Sequence, residues 1–176
     1  MVYKRLCKLY MNSSAKRGVF SMVREARLSD YPQILSLESQ IFEMHIQARP
    51  DIIKPRQQPL DCEYYQKCLD DDSHKIFVWE ENGDILGHCM TRKRIYENHP
   101  MFYDRTILEI EDLCVDQKAR GRGIGRALFD RACAYAREIG AAHLELTVWH
   151  FNGDARRFYE HLGMREQTSR MELMIE

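Results

Sequence analysis

The feature that most constrains the fold is a strand-like segment, followed by a glycine-spaced turn and an amphipathic helix, in the second half of the chain. Hydrophobic and acidic residues alternate from Leu108 to Glu111, a period of two that predicts a half-buried strand. The alternation resumes one position late, at Leu113 and Val115. One extra residue near Glu111 or Asp112 would return the hydrophobic side chains to one face, so the sequence predicts a β-bulge there.

The turn after this strand is rich in glycine and arginine and reads Arg120-Gly121-Arg122-Gly123-Ile124-Gly125. A helix is predicted from Ile124, because hydrophobic residues recur with helical spacing as far as Ile139 and Gly140 then ends it. Glycine backbone at a helix start exposes free N–H groups at the positive end of the helix dipole, which suits a phosphate or pyrophosphate. Glycines here would equally serve a tight turn and close packing. The spacing matches neither a P-loop nor a dinucleotide fingerprint.

The turn resembles the Arg/Gln-x-x-Gly-x-Gly/Ala signature of the GNAT superfamily, the acetyl-CoA-dependent N-acetyltransferases. A second segment, residues 152–164, resembles the Asn-x-x-Ala motif of that family and the aromatic residue and tyrosine that follow it. Met164 stands where the family usually has phenylalanine. The resemblance implies acetyl-CoA as co-substrate, a strand that binds the pantetheine arm through its backbone, and no metal. It implies these cofactor-binding residues: Leu113, Cys114, Val115, Arg120, Gly121, Arg122, Gly123, Ile124, Gly125, Arg126, Asn152 and Arg156.

The same resemblance implies three catalytic candidates. An amine that attacks a thioester must lose a proton, because ammonium is the main form at neutral pH, and a strand carboxylate can accept that proton. Glu109 matches the base of the histone-type branch, whereas Glu111 with Asp112 resembles the pair of the polyamine-type branch, and the sequence does not choose between them. Tyr159 matches the acid that protonates the leaving thiolate. Without the resemblance, the glutamates would be exposed strand residues and Tyr159 a core residue.

The other patterns predict an α/β fold, in which a mixed sheet is flanked by helices on both faces in the order βααβββαβαβ. Strands are predicted over residues 23–28, 76–80, 84–92, 108–115, 143–149 and 166–175. Helices are predicted over residues 31–42, 62–69, 124–139 and 153–162. Asp30, Asp61 and Asn152 are the predicted N-caps. Asn82-Gly83 is the strongest hairpin signal, and Gly87 suggests a bulge or a close backbone approach.

Composition excludes several classes of function. The chain has 176 residues and a net charge of −1, so it has no basic excess for nucleic acid. It has no hydrophobic run long enough to span a membrane, no clustered histidine ligands and no C-x-x-C pair, so its cysteines are expected to be buried free thiols in the cytoplasm. Residues 1–21 are expected to be a disordered extension before a single domain over residues 22–176. A mitochondrial-type presequence and a start at Met22 are the alternatives.

The resemblance to the GNAT superfamily implies an N-acetyltransferase, which moves the acetyl group of acetyl-CoA to a primary amine by direct attack in a ternary complex. The acceptor is the amine of a small molecule or of a protein, and the enzyme is a monomer or a homodimer. Residues 44–60 and 95–105 are expected to set acceptor identity. Within 44–60, residues such as His45 and Arg49 either cover the acceptor site or are solvated loop residues. The alternatives are a catalytically silent acetyl-CoA sensor or interaction module, and an acyltransferase for hydroxyl groups or longer acyl chains.

Overall fold

The computed structural model describes residues 21–55 and 58–175. Apart from Ser21, the predicted N-terminal extension lies outside this described part, and so do Arg56, Gln57 and Glu176. Within the described ranges, no helix is both long enough and apolar enough to cross a membrane.

In the part of the chain that the structure describes, one five-stranded sheet organises the fold, with its strands in sequence order across the sheet. The strands are β1 (Ser21–Glu25), β2 (His74–Glu81), β3 (Asp84–Tyr96), β4 (Arg105–Val115) and β5 (His143–Leu146). The pairs from β1 to β4 are antiparallel, whereas β4 and β5 are parallel. The mixed sheet predicted from the sequence is therefore confirmed.

Within residues 21–55 and 58–175, four α-helices cover the two faces of this sheet. They are α1 (Tyr31–Ala48), α2 (Cys62–Asp70), α3 (Ile124–Glu138) and α4 (Gly153–His161). One core lies between the sheet and α1 with α2, around Ile34, Tyr65 and Val78. The other lies on the α3 side, around Leu108 and Leu128. The two cores fix which side of β4 each of its side chains faces.

The bulge in β4 is confirmed and its extra residue is Glu111. In the β3–β4 register, Met90 lies opposite Asp112 and the next residue, Thr91, lies opposite Ile110, which leaves Glu111 without an opposite residue. Leu108 and Ile110 before the bulge, and Leu113 and Val115 after it, all pack in the α3-side core. This is the single hydrophobic face that the delayed alternation predicted.

Several local predictions are also confirmed. The backbone N–H of Tyr64 donates to Asp61 Oδ1 at 2.9 Å, and that of Ala155 donates to Asn152 Oδ1 at 3.1 Å, so two of the predicted N-caps form. Asn82 and Gly83 make the hairpin turn with φ of 54° and 94°. At Gly87 the backbones approach closely, because a Cβ there would lie 2.9 Å from Cys114 O.

Several element boundaries differ from the prediction, and among them β3 continues to Tyr96 instead of residue 92 and β4 begins at Arg105 instead of residue 108. The first strand ends at Glu25, because Leu28–Asp30 turn into a short 3-10 helix. Asp30 precedes α1 but does not cap it, since its carboxylate is bonded to Arg24 at 2.7 and 2.9 Å. Helix α1 continues to Ala48, past the predicted end at residue 42, while β5 ends at Leu146 instead of residue 149.

The predicted last strand is wrong as well. Residues 166–175 alternate in hydrophobicity, yet they form no strand in the structure. Their hydrophobic side chains are exposed, with Met171 at 93% and Leu173 at 83%. A strand needs a neighbouring strand that satisfies its backbone groups, and none of the described strands pairs with this segment. Alternation alone does not supply such a partner.

Candidate active site

The structure opens a gap in the sheet beside β4. Strand β5 pairs with β4 only from Ile107 to Ile110, although β4 continues to Val115. On its other side β4 stays paired with β3 as far as Val115. One edge of residues 111–115 is therefore free of β5, and we call this opening the strand gap. Unpaired backbone N–H and C=O groups along it are available to hydrogen-bond a ligand.

The glycine turn lies at the start of α3, after the end of β4. Gly121 and Gly123 have φ of 76° and 81°, a left-handed conformation that favours glycine. A Cβ at either position would have no atom within 4 Å, so the backbone is open on that side. The Ala127 N–H is bonded to Gly123 O at 3.0 Å, so the N–H groups just before it belong to the free first turn of the helix. The arrangement fits an anion such as pyrophosphate.

Arginines surround this helix start, and each also contacts an acceptor. Arg120 Nε lies 3.4 Å from Val115 O, Arg122 Nη2 is 2.6 Å from Glu81 Oε2, and Arg126 Nε is 3.0 Å from Asp130 Oδ2. All three side chains are substantially exposed. They add positive charge around the first turn of α3. Arg122 would have to share its guanidinium between Glu81 and a ligand.

The two predicted base candidates lie on the α1 side of β4 among cations. Glu109 forms an ion pair with Arg94. Glu111 Oε2 lies 3.7 Å from Nε2 of the buried His74, and Glu111 Oε1 lies 3.9 Å from Arg92 Nη1. Since Arg92 stands opposite Glu109 in the register, the structure does bring both glutamates to one face. Each nevertheless has a cationic partner.

Behind the strand gap lies a second group of ionisable side chains, of which the sequence pointed only to Asp112, as the neighbour of Glu111. His88 on β3 is fully buried, and its Nε2 is 2.7 Å from Glu38 Oε1 on α1. Asp112 on β4 lies beside Glu38, and each carboxyl group influences the pKa of the other. One ligand atom from each of these residues lies within 4.8 Å of the other two. We call Glu38, His88 and Asp112 the buried triad.

The pKa values in the buried triad are displaced in opposite directions. Burial and then the charge of Glu38 raise the pKa of Asp112 to about 8. Burial would also raise the pKa of Glu38, but the hydrogen bond and charge of His88 outweigh it and lower that pKa. Burial disfavours the imidazolium, yet the bond to Glu38 raises the pKa of His88. These donors suit a metal by type, but the 2.7 Å bond already occupies His88 Nε2.

Tyr159, the predicted acid, lies on the α3 side of the sheet. Its ring packs against Phe129 and Phe158, with centroids 6.2 and 5.1 Å away. Burial raises its pKa, and the nearby Asp112 adds to the effect. Its hydroxyl has no hydrogen-bond partner within residues 21–55 and 58–175. Tyr159 packs in the α3-side core, so it lies on the face of the sheet opposite to Asp112 and the residues grouped with it.

The other residues predicted to bind the cofactor have different surroundings in the structure. Leu113 and Val115 direct their side chains into the α3-side core, and the Cys114 thiol donates to Leu37 O at 3.4 Å, so these residues offer only backbone to the strand gap. Asn152 Oδ1 caps α4. Arg156 pairs with Glu160 at 3.0 Å and Glu166 at 2.9 Å, and is not brought to the glycine turn by any contact.

An aromatic cluster lies on the α1 side, beyond the end of β5. The His45 ring meets Trp149 and Phe151 at centroid distances of 6.3 and 5.5 Å, and the Arg49 guanidinium lies 5.7 Å from the centre of the Trp149 ring. Arg49 also pairs with Asp51 at 2.8 Å and Glu172 at 2.7 Å. His45 and Arg49 are thus packed residues at and just after the end of α1, and neither is a free loop residue.

Comparison with known proteins bears on the family and the fold of this chain. The chain matches the model of the acetyltransferase (GNAT) family over residues 33–164. It is 31% identical to the uncharacterized N-acetyltransferase YhfO of Bacillus subtilis, over 83% of this chain and 91% of that protein. It is 24% identical to the thialysine N-epsilon-acetyltransferase of Bos taurus, over 85% of this chain and 86% of that protein.

Coverage differs among the relatives. The chain spans 45% of the length of an N-acetyltransferase of Methanocaldococcus jannaschii. Among solved structures, a tetramutant of the BH1408 protein from Bacillus halodurans superposes with a TM-score of 0.85 and 32% identity. That match covers 88% of this chain and 99% of the solved one.

Proposed function

Because the chain belongs to the acetyltransferase (GNAT) family, we propose that it is an acetyl-CoA-dependent N-acetyltransferase acting on a primary amine by direct attack in a ternary complex. The observation that carries the proposal is the open, arginine-rich start of α3 beside the strand gap. The free N–H groups at Gly123 to Arg126 would hold the pyrophosphate, with Arg120 and Arg122 adding charge. The unpaired edge of Leu113, Cys114 and Val115 would hold the pantetheine arm.

The residues of the gap supply the proposed chemistry. Carboxylates on the α1 face, Glu109 and Glu111, attract an ammonium group and are the base candidates. Backbone N–H groups near Leu113 and Val115 would stabilise the negative charge that develops on the thioester oxygen. Tyr159, whose raised pKa keeps its hydroxyl protonated, would protonate the departing thiolate. Asn152 and Arg156 remain predictions for contacts to the cofactor.

The carboxylate-lined face favours a cationic acceptor amine. The Bos taurus relative is named for thialysine, a lysine analogue with a terminal primary amine, which is consistent with this class. The aromatic cluster of His45, Trp149 and Phe151 would form one wall on the side from which such an acceptor approaches. The acceptor panel should therefore contain lysine, thialysine and a lysine-bearing peptide, so that small-molecule and protein acceptors are separated.

The test combines binding with turnover. Acetyl-CoA at about 100 times its Kd should stabilise the native protein by about 2.7 kcal/mol, which raises the melting temperature by about 5–11 °C for a chain of this length. Thiol release should follow with an amine of the panel. Stabilisation without thiol release from any amine would favour the acetyl-CoA sensor, and no stabilisation at all would refute the assignment of the glycine turn.

Gly123 and Gly140, which flank the two ends of α3, provide a matched pair of test variants. Gly123→Asp places a carboxylate where the pyrophosphate would bind and should abolish the stabilisation by acetyl-CoA. Gly140→Asp introduces the same side chain at the other end of α3, where the glycine also has positive φ and open space. It should lose some stability but keep the full response to acetyl-CoA. Equal responses in both variants would show that the helix start does not bind the cofactor.

A further inference from the structure

The buried triad places three ionisable groups in the interior, where unpaired charge is expensive. His88 is fully buried and the Glu38 side chain is only 12% exposed. His88 Nε2 and Glu38 Oε1 are 2.7 Å apart, and a carboxylate oxygen of Asp112 lies within 4.8 Å of both residues. His88 Nδ1 has no hydrogen-bond partner in the described part of the chain. Glu38 therefore satisfies only the Nε2 side of the imidazole, and Asp112 lies beside a carboxylate that is already occupied.

The position of Asp112 connects this pair to the strand gap. Asp112 directly follows the bulged Glu111, at the point where β4 has left β5. It is partly buried, unlike the fully buried His88 behind it. From the opposite face its charge influences Tyr159. Asp112 is thus the member of the triad that borders the place where the acceptor amine and the thioester would meet.

The neighbours of Asp112 fix its protonation. Glu38 and His45 face the triad from α1, His88 from β3 and Cys114 from β4 itself, whereas Cys89 and Tyr159 lie on the α3 side of the sheet and act across it. Glu38 and His88 form an anion–cation pair with no net charge. The remaining carboxyl group is then the one whose charge the interior least tolerates, so Asp112 holds its proton to higher pH than an ordinary aspartate.

Resting on the proposed function, we propose that Asp112 is the catalytic residue that takes the proton from the acceptor ammonium, and that Glu38 and His88 are positioning residues for it. In this step one N–H bond of the ammonium breaks and one O–H bond forms on Asp112. The cation and the carboxylate become a neutral amine and a neutral acid, which bonds to Glu38. After the product leaves, Asp112 releases the proton to water.

Two physical arguments favour Asp112 over the glutamates of β4. Glu109 and Glu111 are each beside a cation, whereas the cation nearest to Asp112 is already paired with Glu38. A base works best when its pKa lies near the working pH and near that of the proton donor. An ordinary aspartate, with a pKa of about 3.9, is a poor match for an ammonium of about 10.4. The surroundings of Asp112 reduce that mismatch.

The first arm of the test requires no acceptor. Aspartate side-chain carboxyl carbons are labelled with 13C, the Asp112 signal is assigned by its absence in Asp112→Asn, and its titration is followed by NMR. The Asp112 signal should titrate well above the ordinary range of about pH 4. Glu38→Gln removes a negative neighbour and should move the midpoint down, whereas His88→Gln removes a positive neighbour and should move it up, each by about 1–3 pH units.

The second arm measures thiol release from acetyl-CoA with thialysine and lysine across the same pH range. Asp112→Asn should keep the stabilisation by acetyl-CoA but lose kcat/KM by roughly 10²–10⁴-fold. The rise of kcat/KM with pH should move to lower pH in Glu38→Gln and to higher pH in His88→Gln. Glu43→Gln, an exposed residue of the same helix, is the control and should leave the profile unchanged.

The outcomes separate the proposals. An Asp112 signal that titrates near pH 4, or an Asp112→Asn variant within threefold of the wild-type kcat/KM, overturns the role of Asp112. Midpoints that move in the same direction in Glu38→Gln and His88→Gln overturn the positioning roles, because a purely structural disturbance has no reason to reverse sign. If His88→Gln does not fold, Glu38→Gln still tests the positioning role, because its Asp112 midpoint must move to lower pH. A wild-type protein that binds no acetyl-CoA refutes the proposed function, while the titration still decides the triad.

Discussion

Gly87 is the position where a single methyl group should disturb both the sheet and the cofactor edge. A Cβ on Gly87 would lie 2.9 Å from Cys114 O, 3.1 Å from Ile124 Cγ2 and 3.1 Å from Leu128 Cδ1. The oxygen is main chain of the neighbouring strand and cannot rotate away. Gly87→Ala should therefore push β4 from β3 along residues 113–115, which the proposed function assigns to the pantetheine arm.

The expected loss of unfolding free energy in Gly87→Ala comes from overpacking, because the backbone at this position is not strained. Gly87 is not among the glycines with positive φ, so alanine is conformationally allowed there and the unfolded chain loses entropy, which by itself favours folding by about 0.4–1 kcal/mol. Gly153→Ala shares that gain, but its Cβ would meet only the flexible end of Arg157 at 3.4 Å. The difference in unfolding free energy between the two variants should be about 1–3 kcal/mol, the usual cost of overpacking a core.

Urea unfolding followed by tryptophan fluorescence gives this difference, and titration with acetyl-CoA gives the effect on the cofactor edge. Gly87→Ala should be the less stable variant and should bind acetyl-CoA more weakly than the wild type, whereas Gly153→Ala should match the wild type in affinity. If the two variants unfold within about 0.5 kcal/mol of each other, a range typical of harmless surface changes, the close approach of β3 and β4 does not limit what position 87 can hold.

Two further predictions test the proposed acid and the first strand. Tyr159→Phe keeps the ring contacts with Phe129 and should preserve acetyl-CoA affinity while lowering kcat by roughly 10²–10⁴; normal turnover would make the tyrosine a core residue only. Asp30→Asn should cost about 3 kcal/mol in chemical denaturation at pH 7, because it leaves the partly buried Arg24 with Glu80 alone. Burial opposes ionisation of Asp30, but Arg24 and Arg27 lower its pKa, so this contribution is full above the unfolded pKa of about 3.9 and is lost as pH falls below it. A difference between the wild type and Asp30→Asn that stays constant from pH 7 to pH 3 would contradict this linkage.

The cofactor side of the candidate site was readable from the sequence because its signals are local. Glycines at 121 and 123 are required by positive φ, and the bulge at Glu111 appears as a one-residue delay in the alternation of β4. Both depend on residues close together in the chain. The extent of α1 and β5 was not readable in this way, because residues near their ends pack against each other: His45 against Trp149 and Phe151.

The buried triad was missed for a related reason. Glu38 lies four residues after Ile34 and three before Ile41, so it interrupts the hydrophobic stripe of α1, and this was the available signal. His88 lies two residues before the buried Met90 of β3. Each residue alone reads as an ordinary polar exception. Glu38, His88 and Asp112 come together only because α1 packs across β3 and β4. This packing cannot be predicted from the local sequence patterns.

The bulge joins the two halves of the candidate site. In a regular strand Asp112 would continue the face of Leu108 and Ile110, and its carboxyl group would point into the α3-side core. The extra residue at Glu111 reverses the sides, so that Leu113 and Val115 rejoin that core while Asp112 turns toward Glu38 and His88. The bulge lies at the point where β4 leaves β5, and this separation exposes the backbone edge proposed for the cofactor. One inserted residue thus places a proton-accepting group and a cofactor-binding edge at the same point, which is why we expect acceptor activation and cofactor binding to be coupled there.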